Sequence, residues 1–281
     1  MKKREQQQKA KGFLELHTST KLFILPNAWD VSSAKIFELE GFKAIGTTSA
    51  GVASTLGYRD GQKMSLAESL EVVMRITDQI DVPVSVDIEA GYAATIEGIV
   101  KNVQKVLKVG AVGINLEDST GKRTNPLVET GFQVEAIAAI REMTKKEGID
   151  LLINARADAF MFFPDDTRFR VSETILRANA YIEAGADCIF IPDVGDLDKE
   201  SIQLFIKEID APINLIAGAT TPSISELQEL GVSRVSIGPR AMRATFGLLK
   251  RISQELLTTG TYELLDDNTY SYGEVNKWFK K

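Results

Sequence analysis

The alternation of short β-rich segments with helical stretches is the feature that most constrains the fold of this chain. Eight such segments occur: "LFILP" from Leu22, "KAIGTTS" from Lys43, "VPVSVDIE" from Val82, "AVGINLE" from Ala111, "DLLINAR" from Asp150, "DCIFIP" from Asp187, "INLIAG" from Ile213 and "RVSIG" from Arg234. Strand and helix alternating eight times is typical of an α/β (β/α)8 TIM barrel, and a doubly wound open sheet is the alternative.

Glycine marks the ends of several helical stretches. Four glycines stand just before a β-rich segment: Gly41, Gly110, Gly185 and Gly231. Glycine at this place favours a left-handed helix cap that turns the chain back toward the sheet. Because no linker-like composition interrupts the pattern, we predict one domain over residues 1–281, with the barrel at about 20–245 and a helical C-terminal extension at about 246–281.

Composition excludes several classes of protein. A net charge of -6 argues against nucleic-acid binding, which needs a clustered basic face. No apolar run is long enough to cross a bilayer and no export signal is evident, so we expect no membrane partner and a cytoplasmic address. The chain has one cysteine, Cys188, and one histidine, His17. We therefore expect Cys188 in the core, and any bound metal ion must be held by oxygen ligands.

Polar residues share one face of three successive predicted strands. In "PVSVDIEAGY", Val84, Val86 and Ile88 alternate with Ser85, Asp87 and Glu89. The next two strands repeat the pattern, with a polar face made of Asn115, Glu117, Asn154 and Arg156. Because side chains alternate along a strand, we expect the apolar set to face the helices and the polar set to face the barrel axis.

The polar sets end at the carboxyl ends of the strands, where barrel enzymes place their chemistry. Asp87, Glu89, Glu117 and Arg156 should meet there, with Asp60 nearby on the "LGYRDG" loop. Carboxylates this close raise one another's pKa unless a positive charge lies between them. Mg²⁺ suits such a site, since it prefers oxygen ligands and keeps several waters. A single strand-end Asp is more often a helix cap, and a structural salt bridge is nearly as compatible with Arg156 as substrate binding.

Four motifs together carry a family resemblance. "LPNAWDVSSAKIFELEGFKAIGTTSAGVASTLGYRDG", "VDIEAGY", "GINLED" and "NARADAF" resemble the successive signatures of the isocitrate lyase and phosphoenolpyruvate mutase superfamily, over about residues 20–245. The resemblance implies a C-terminal helix exchanged between subunits of a homodimer or homotetramer. Trp278 and Phe279 then pack either on a partner subunit or on their own barrel.

The resemblance also implies the roles of individual residues. Mg²⁺, with Mn²⁺ as an alternative, is expected at Asp87, and Asp60, Glu89 and Glu117 are expected to hold the ion mostly through water. The expected substrate-binding residues are Thr48, Ser49 and Ala50 of the "TTSAG" turn, together with Asn154 and Arg156. Arg156, Asp60 and Glu117 are also expected to be catalytic, as are Arg123 and Asn125 of a gating loop at residues 119–130.

Departures from the family pattern narrow the expected activity. The "KCGH" loop of the lyases that cleave isocitrate does not occur between Glu117 and Asn154, and Ser119, Pro126 and Pro192 replace mutase residues. We therefore expect a Mg²⁺-dependent lyase or decarboxylase that cleaves a carbon-carbon bond in a small 2-oxo or 2-hydroxy carboxylic acid through an enolate. The near alternative is a phosphoenolpyruvate mutase or phosphonopyruvate hydrolase, which acts on a phosphorus-carbon bond.

Two further classes stay open at the level of sequence. Gly218 in "IAGAT" and Gly238 in "SIGPR" could cradle phosphate, as in phosphosugar isomerase or aldolase barrels, or could form tight turns at the barrel rim. A non-catalytic binder of small acids that retains the metal site is the other alternative.

Overall fold

The structure is a computed structural model, and it describes residues 2–163, 166–192, 195, 197–267 and 269–279. Its centre is a sheet of nine strands in which all neighbours are parallel. The strands are β1 (Phe23–Leu25), β2 (Asn27–Ala28), β3 (Ile45–Thr47), β4 (Val84–Asp87), β5 (Gly113–Glu117), β6 (Leu152–Arg156), β7 (Cys188–Ile191), β8 (Ile213–Ile216) and β9 (Arg234–Ser236).

The sheet closes into a barrel through Pro26. The strand order is β1-β9-β8-β7-β6-β5-β4-β3-β2, so the two ends of the order are β1 and β2, which flank Pro26. Proline has no N–H to donate to a ladder, which interrupts the first predicted strand at this residue. The Pro26 carbonyl still accepts a bond from the Gly46 N–H at 2.9 Å. The TIM barrel is thus confirmed, and the open sheet is wrong.

Helices lie around the barrel, and those between β2 and β9 in the chain connect successive strands. They are α1 (Lys3–His17), α2 (Val31–Leu39), α3 (Ser49–Thr55), α4 (Leu66–Gln79), α5 (Ile96–Lys108), α6 (Thr130–Glu147), α7 (Ala159–Phe162), α8 (Thr167–Glu183), α9 (Lys199–Glu208), α10 (Ile224–Leu230), α11 (Arg240–Thr258), α12 (Glu263–Asp266) and α13 (Tyr272–Lys277). The four predicted cap glycines all have left-handed φ angles, between 89° and 109°. Each predicted strand is present at its expected place.

The register of the strands brings the inward polar residues to the same level. Asn115 of β5 pairs with Asn154 of β6, and Glu117 pairs with Arg156. The alternate residues, such as Ile114, are fully buried in the main hydrophobic cluster between barrel and helices. The predicted assignment of faces is therefore confirmed for these strands.

Helix α1 closes the amino end of the barrel. Phe13 is fully buried against Gly113, where an added Cβ would lie 2.6 Å from the Phe13 ring. The Gln6 amide donates to the carbonyl oxygens of Leu107 at 2.8 Å and Ala111 at 2.9 Å. Residues before position 20 therefore belong to the barrel unit, because α1 covers the apolar side chains at the amino end of the barrel.

The C-terminal extension is helical, as predicted. Helix α11 has 19 residues, and Met242 is its only buried residue. Large apolar side chains on it are exposed, including Leu249 at 58% and Leu257 at 87%. Farther on, Trp278 packs edge-on against Tyr270, with ring centroids 4.8 Å apart. Most of the apolar face of α11 therefore has no cover within the described part of this chain.

Among the described residues, no helix combines the length and the apolar composition that a bilayer crossing requires. The expected cytoplasmic address stays a prediction.

Candidate active site

A cavity of about 110 Å³ opens at the carboxyl ends of the strands. Its described lining residues are Asn27, Thr48, Ser49, Ala50, Asp60, Asp87, Asn115, Arg156, Phe190, Ile216, Ser236, Gly238 and Pro239. Six predicted site residues are among them: the three predicted residues of the "TTSAG" turn, both aspartates and Arg156. Of the remaining predicted residues, Glu89, Glu117 and Asn154 lie beside or below this cavity, and Arg123 and Asn125 lie apart from it.

Asp87 stands at the centre of the polar wall, at the end of β4. Its Oδ2 accepts bonds from the Ser49 N–H at 3.1 Å and the Ser49 hydroxyl at 2.7 Å. Thr48 caps the helix that follows, with its Oγ1 accepting from the Gly51 N–H at 3.4 Å. The amide turn predicted to bind substrate is therefore present, but its Ser49 N–H is directed at Asp87.

Asp60 reaches the same cavity from the loop between α3 and α4. Asp60 is exposed as a residue, but neighbouring protein atoms partly desolvate its carboxyl; this desolvation and the negative charge of Asp87 raise the pKa of Asp60, while the Gly61 N–H and the Ser49 hydroxyl oppose that rise. Two neighbouring carboxylates in one cavity attract a cation to the space between them.

Glu89 has protein donors on both carboxylate oxygens. Oε2 accepts from the Gln62 N–H at 2.8 Å, and Oε1 accepts from the Tyr92 hydroxyl at 2.7 Å. Burial is the main cause that raises the pKa of Glu89 to about 7, and the charges of Asp87 and Asp60 add to it. Glu89 is thus beside the cavity, outside its lining, and engaged with its own chain.

Arg156 lies between two carboxylates. Its Nη1 is 2.9 Å from Glu117 Oε2, and its Nε is 2.6 Å from Asp158 Oδ1. Its guanidinium carbon lies 5.6 Å from the centre of the Phe190 ring. Burial raises the pKa of Glu117 and of Asp158, and the Arg156 charge opposes that rise in both. Arg156 therefore lines the cavity and also forms the structural ion pairs that the sequence left open.

Asp158 was missed by the sequence reading. It is fully buried, and its Oδ2 has no hydrogen-bond partner among the described residues. Its backbone N–H donates to Asp118 Oδ1 at 2.9 Å, which fixes the turn after β6. The available signal was its position in "NARADAF", two residues after Arg156 and so on the same face.

Asn154 lies below the cavity, and Asn115 takes its expected place in the wall. Asn154 is fully buried and donates to Asn115 Oδ1 at 2.7 Å. Arg234 also donates to Asn115 Oδ1, at 3.4 Å. Because an arginine can only donate, Asn115 must present its oxygen to Arg234, which leaves its NH2 group for the cavity side.

Arg234 is a second residue that sequence reasoning missed. It is fully buried inside the barrel, where its Nη1 lies 3.4 Å from His17 Nε2 and its Nε has no partner in the described part of the chain. Burial lowers the pKa of Arg234 to about 10, and Asp87 opposes that shift. Its inward parity with Ser236, across the apolar Val235, was the signal that could have revealed it.

The predicted gating loop stands apart from the cavity. Arg123 and Asn125 are exposed and are not among the lining residues. Ser119 pairs with Leu127 in an antiparallel bridge, and the Thr120 hydroxyl donates to the Asn125 carbonyl at 2.6 Å. The catalytic roles of Arg123 and Asn125 stay predictions, since they require the loop to move over the cavity.

Cys188 is confirmed as a core residue. Its side chain is fully buried in β7, and burial raises the pKa of its thiol to about 12. A thiol that stays protonated is a poor nucleophile.

The carboxylates fit an ion that keeps most of its water. Within residues 2–163, 166–192, 195, 197–267 and 269–279, no three Asp, Glu, His or Cys side chains are grouped closely enough to hold a metal on their own. Asp60 and Asp87 both line the cavity, whereas Glu89 and Glu117 do not. One or two carboxylates beside space for water is the donor set that Mg²⁺ commonly uses.

Comparisons with known proteins identify the family of this chain. A sequence model described as phosphoenolpyruvate phosphomutase matches residues 13–257. An uncharacterized protein of Mycobacterium tuberculosis is 36% identical over 230 residues, which cover 81% of each chain.

Solved structures of similar proteins have the same fold as this chain. A lyase/mutase-type protein of Burkholderia cenocepacia aligns with a TM-score of 0.89 at 30% identity, over 99% of this chain and 98% of that one. A phosphonopyruvate hydrolase in complex with oxalate and Mg²⁺ aligns with a TM-score of 0.85 at 24% identity, over 96% of this chain and 94% of that one.

Proposed function

Because the chain belongs to the phosphoenolpyruvate phosphomutase family, we propose that it is a Mg²⁺-dependent lyase or decarboxylase that cleaves a carbon-carbon bond in a small 2-oxo or 2-hydroxy carboxylic acid. The observation that carries the proposal is the cavity in which Asp60 and Asp87 face Arg156 at the carboxyl ends of the strands. This arrangement offers anionic oxygens to a cation and a cation to an acid group.

Asp87 and Asp60 would hold the Mg²⁺ ion, or Mn²⁺ in its place. When bound, the ion supplies a Lewis acid that stabilises negative charge developing on substrate oxygens, an effect worth several kcal/mol. Arg156 would bind the acid group of the substrate, since a guanidinium matches a carboxylate in shape and charge. Its existing partners, Glu117 and Asp158, keep that guanidinium in one orientation.

The remaining wall would orient the substrate and the leaving fragment. Asn115 directs an NH2 group to the cavity side, which suits a substrate oxygen. Closure of residues 119–130 would exclude water and bring Arg123 and Asn125 to the substrate. An enolate formed by bond cleavage needs such exclusion to avoid premature protonation.

Charge favours carbon-carbon over phosphorus-carbon chemistry. Arg156 is the only basic side chain among the described residues that line the cavity, and it is already paired with two carboxylates. A phosphonate dianion would bring more negative charge than a carboxylate to a site poor in cations. Turnover of oxaloacetate against phosphonopyruvate, each with Mg²⁺, separates the two activities.

In the phosphate-binding alternative, the backbone amides of Gly218 and Gly238 would bind phosphate, but both already donate to side chains of this chain. The Gly238 N–H donates to Asn27 Oδ1 at 2.8 Å, and the Gly218 N–H donates to Thr221 Oγ1 at 2.8 Å. A phosphate would have to displace both side chains. The geometry favours tight turns at the barrel rim for these two glycines.

Calorimetry with Mg²⁺ and oxalate tests the proposed metal site. We expect the wild-type protein to bind oxalate only with Mg²⁺, and the substitution Asp87→Asn to abolish that binding. Asp198→Asn is the matched control, because Asp198 caps α9 outside the cavity and asparagine also caps helices. Oxalate binding that needs no Mg²⁺, or that survives in Asp87→Asn, would reject the proposal. Metal-dependent binding without turnover of any oxo acid would indicate the non-catalytic binder.

The exposed face of α11 supports a homodimer or homotetramer assembled through the C-terminal helices. Exposed Leu249 and Leu257 form apolar surface that a second copy of the chain would bury. Light scattering should give a multiple of the chain mass of 30.9 kDa, and Leu249→Asp should shift it to the monomer. The neighbouring change Lys250→Asp should leave the assembly intact, and a monomeric wild type would contradict the proposed assembly.

A further inference from the structure

The loop that carries Asp60 has little support of its own. This Asp60 loop, residues 57–63, lies between α3 and α4, contains no helix or strand, and has no buried residue. Yet Asp60 must be held beside Asp87 if both are to face the same ion. Contacts from outside the loop have to fix its position, and at its start the Tyr58 hydroxyl donates to Glu68 of α4 at 2.8 Å.

Glu89 supplies a direct connection to that loop. One oxygen accepts from the Gln62 N–H at 2.8 Å, two residues after Asp60. The other oxygen accepts from the Tyr92 hydroxyl at 2.7 Å. A single carboxylate therefore ties the Asp60 loop to the segment that follows β4.

The backbone at all three residues is unusual. Gln62, Glu89 and Tyr92 have φ angles of 55°, 48° and 54°, in the left-handed region that L side chains rarely adopt. Asn125 is the remaining non-glycine residue with positive φ among those the structure describes. Conformations of this kind persist where surrounding contacts hold them, and here the shared contact is the Glu89 carboxylate.

We propose that Glu89 is a positioning residue that clasps the Asp60 loop against the barrel and acts on the reaction through Asp60. The effect of Glu89 on the reaction rests on the proposed function, whereas the hydrogen bonds of the clasp need no metal. It goes beyond the role that the sequence predicted, because the Glu89 oxygens accept from Gln62 and Tyr92 whether or not an ion is bound. This role requires the length of the glutamate side chain at position 89, because an aspartate is one methylene shorter and could not reach both donors.

Two substitutions separate length from charge. Glu89→Asp keeps the negative charge and shortens the side chain, so the clasp should open. Glu89→Gln loses the charge and keeps the length, and its amide can still accept from Gln62 and donate to the Tyr92 oxygen. If Glu89 acted through its charge on the ion, we would expect the reverse: Glu89→Asp would be tolerated and Glu89→Gln would be impaired.

Trypsin provides a readout in the metal-free protein. Arg59 and Lys63 are exposed cleavage sites inside the Asp60 loop. We expect Glu89→Asp to raise cleavage there about tenfold, the effect of losing one hydrogen bond to a charged group, and Glu89→Gln to stay within about twofold. Unchanged cleavage elsewhere shows that the fold is intact. The control Glu226→Asp shortens a carboxylate that also accepts from a backbone N–H and a hydroxyl, those of Ser223, and should leave loop cleavage unchanged.

The affinity for Mg²⁺ then tests whether Glu89 acts through Asp60. Glu89→Asp should weaken Mg²⁺ binding in the wild-type background but add no further loss in Asp60→Asn, because coupled residues are not additive. Equal losses in both backgrounds, or wild-type protection of the loop in Glu89→Asp, would overturn the clasp. If the wild type bound no Mg²⁺, the proposed function would fail, and the proteolysis would still decide the clasp.

Discussion

The single histidine provides a sharp test of the buried barrel interior. His17 is buried at the amino end of the barrel, between the rings of Phe13 and Phe23 at centroid distances of 4.8 and 4.7 Å. Its Nδ1 lies 2.8 Å from the Phe13 carbonyl, and its Nε2 lies 3.4 Å from Arg234. Because a carbonyl only accepts and an arginine only donates, the proton of the neutral ring is on Nδ1.

Protonation of His17 is strongly disfavoured in the folded protein. Burial lowers its pKa to about 3, Arg234 adds to that effect, and the Phe13 carbonyl opposes it. In the unfolded chain the pKa is about 6.5. Between these two values the unfolded state binds a proton that the folded state does not, so the free energy of unfolding falls as the pH falls.

The substitution His17→Phe isolates this effect. Lowering the pH from about 7.5 to 5.5 should cost the wild type about 1.4 kcal/mol more than the variant, the linkage value for one group one unit below its unfolded pKa. Carboxyls whose pKa is raised in the folded protein, such as Glu89, have the opposite effect, because their ionisation lowers the free energy of unfolding as the pH rises. They are present in both proteins and cancel in the difference.

Two measurements check the prediction. Urea unfolding at both pH values gives the difference in the free energy of unfolding between wild type and His17→Phe. The ring proton signal of the one histidine, followed by NMR, should not shift between pH 8 and 5. A titration midpoint near 6.5, or a difference between the proteins that is independent of pH, would refute the assignment of His17 to a dry site beside Arg234.

Three further predictions concern the barrel interior. Gly113→Ala places a Cβ 2.6 Å from the Phe13 ring and 2.9 Å from Ser85 Oγ, and should lower the free energy of unfolding by about 1–3 kcal/mol in urea titration; an unchanged midpoint contradicts this packing. The Cys188 thiol should react with a chromogenic disulfide reagent only as fast as the protein unfolds, so rapid labelling in buffer would contradict its burial. Arg234→Met removes a buried positive charge that repels a metal ion near Asp87 and attracts an anion. Calorimetry should therefore show tighter Mg²⁺ binding and weaker oxalate binding in this variant. Weaker Mg²⁺ binding together with tighter oxalate binding would contradict this prediction.

Local patterns predicted the strands, the faces of their side chains and the ends of several helices. Alternating polarity placed Asp87 on the inner face of its strand, and cap glycines such as Gly185 marked where helices end. These features were predictable because side-chain direction in a strand and the left-handed cap depend only on neighbouring residues. The same patterns could not show the break at Pro26, since a ring of strands closes only when both of its ends are in place.

The sequence predicted part of the cavity wall, and it did not predict how the side chains there are bonded. The sequence brought Asp60, Asp87 and Arg156 to one mouth, and the structure places them in one cavity wall. It did not show that Glu89 is bonded to Gln62. Parity fixes the face on which a side chain lies, whereas a hydrogen bond also requires the distance between two segments to be correct within tenths of an ångström.

The sequence by itself therefore determined the barrel, its inner polar face and the end at which its acidic groups gather, because each depends on periodicity along the chain. Tertiary structure alone decided which groups pair, as with Arg234 and His17, which lie 217 residues apart. Such pairs form only after the whole barrel has closed around them. The geometry of such contacts sets which carboxylates line the cavity and which lie outside it.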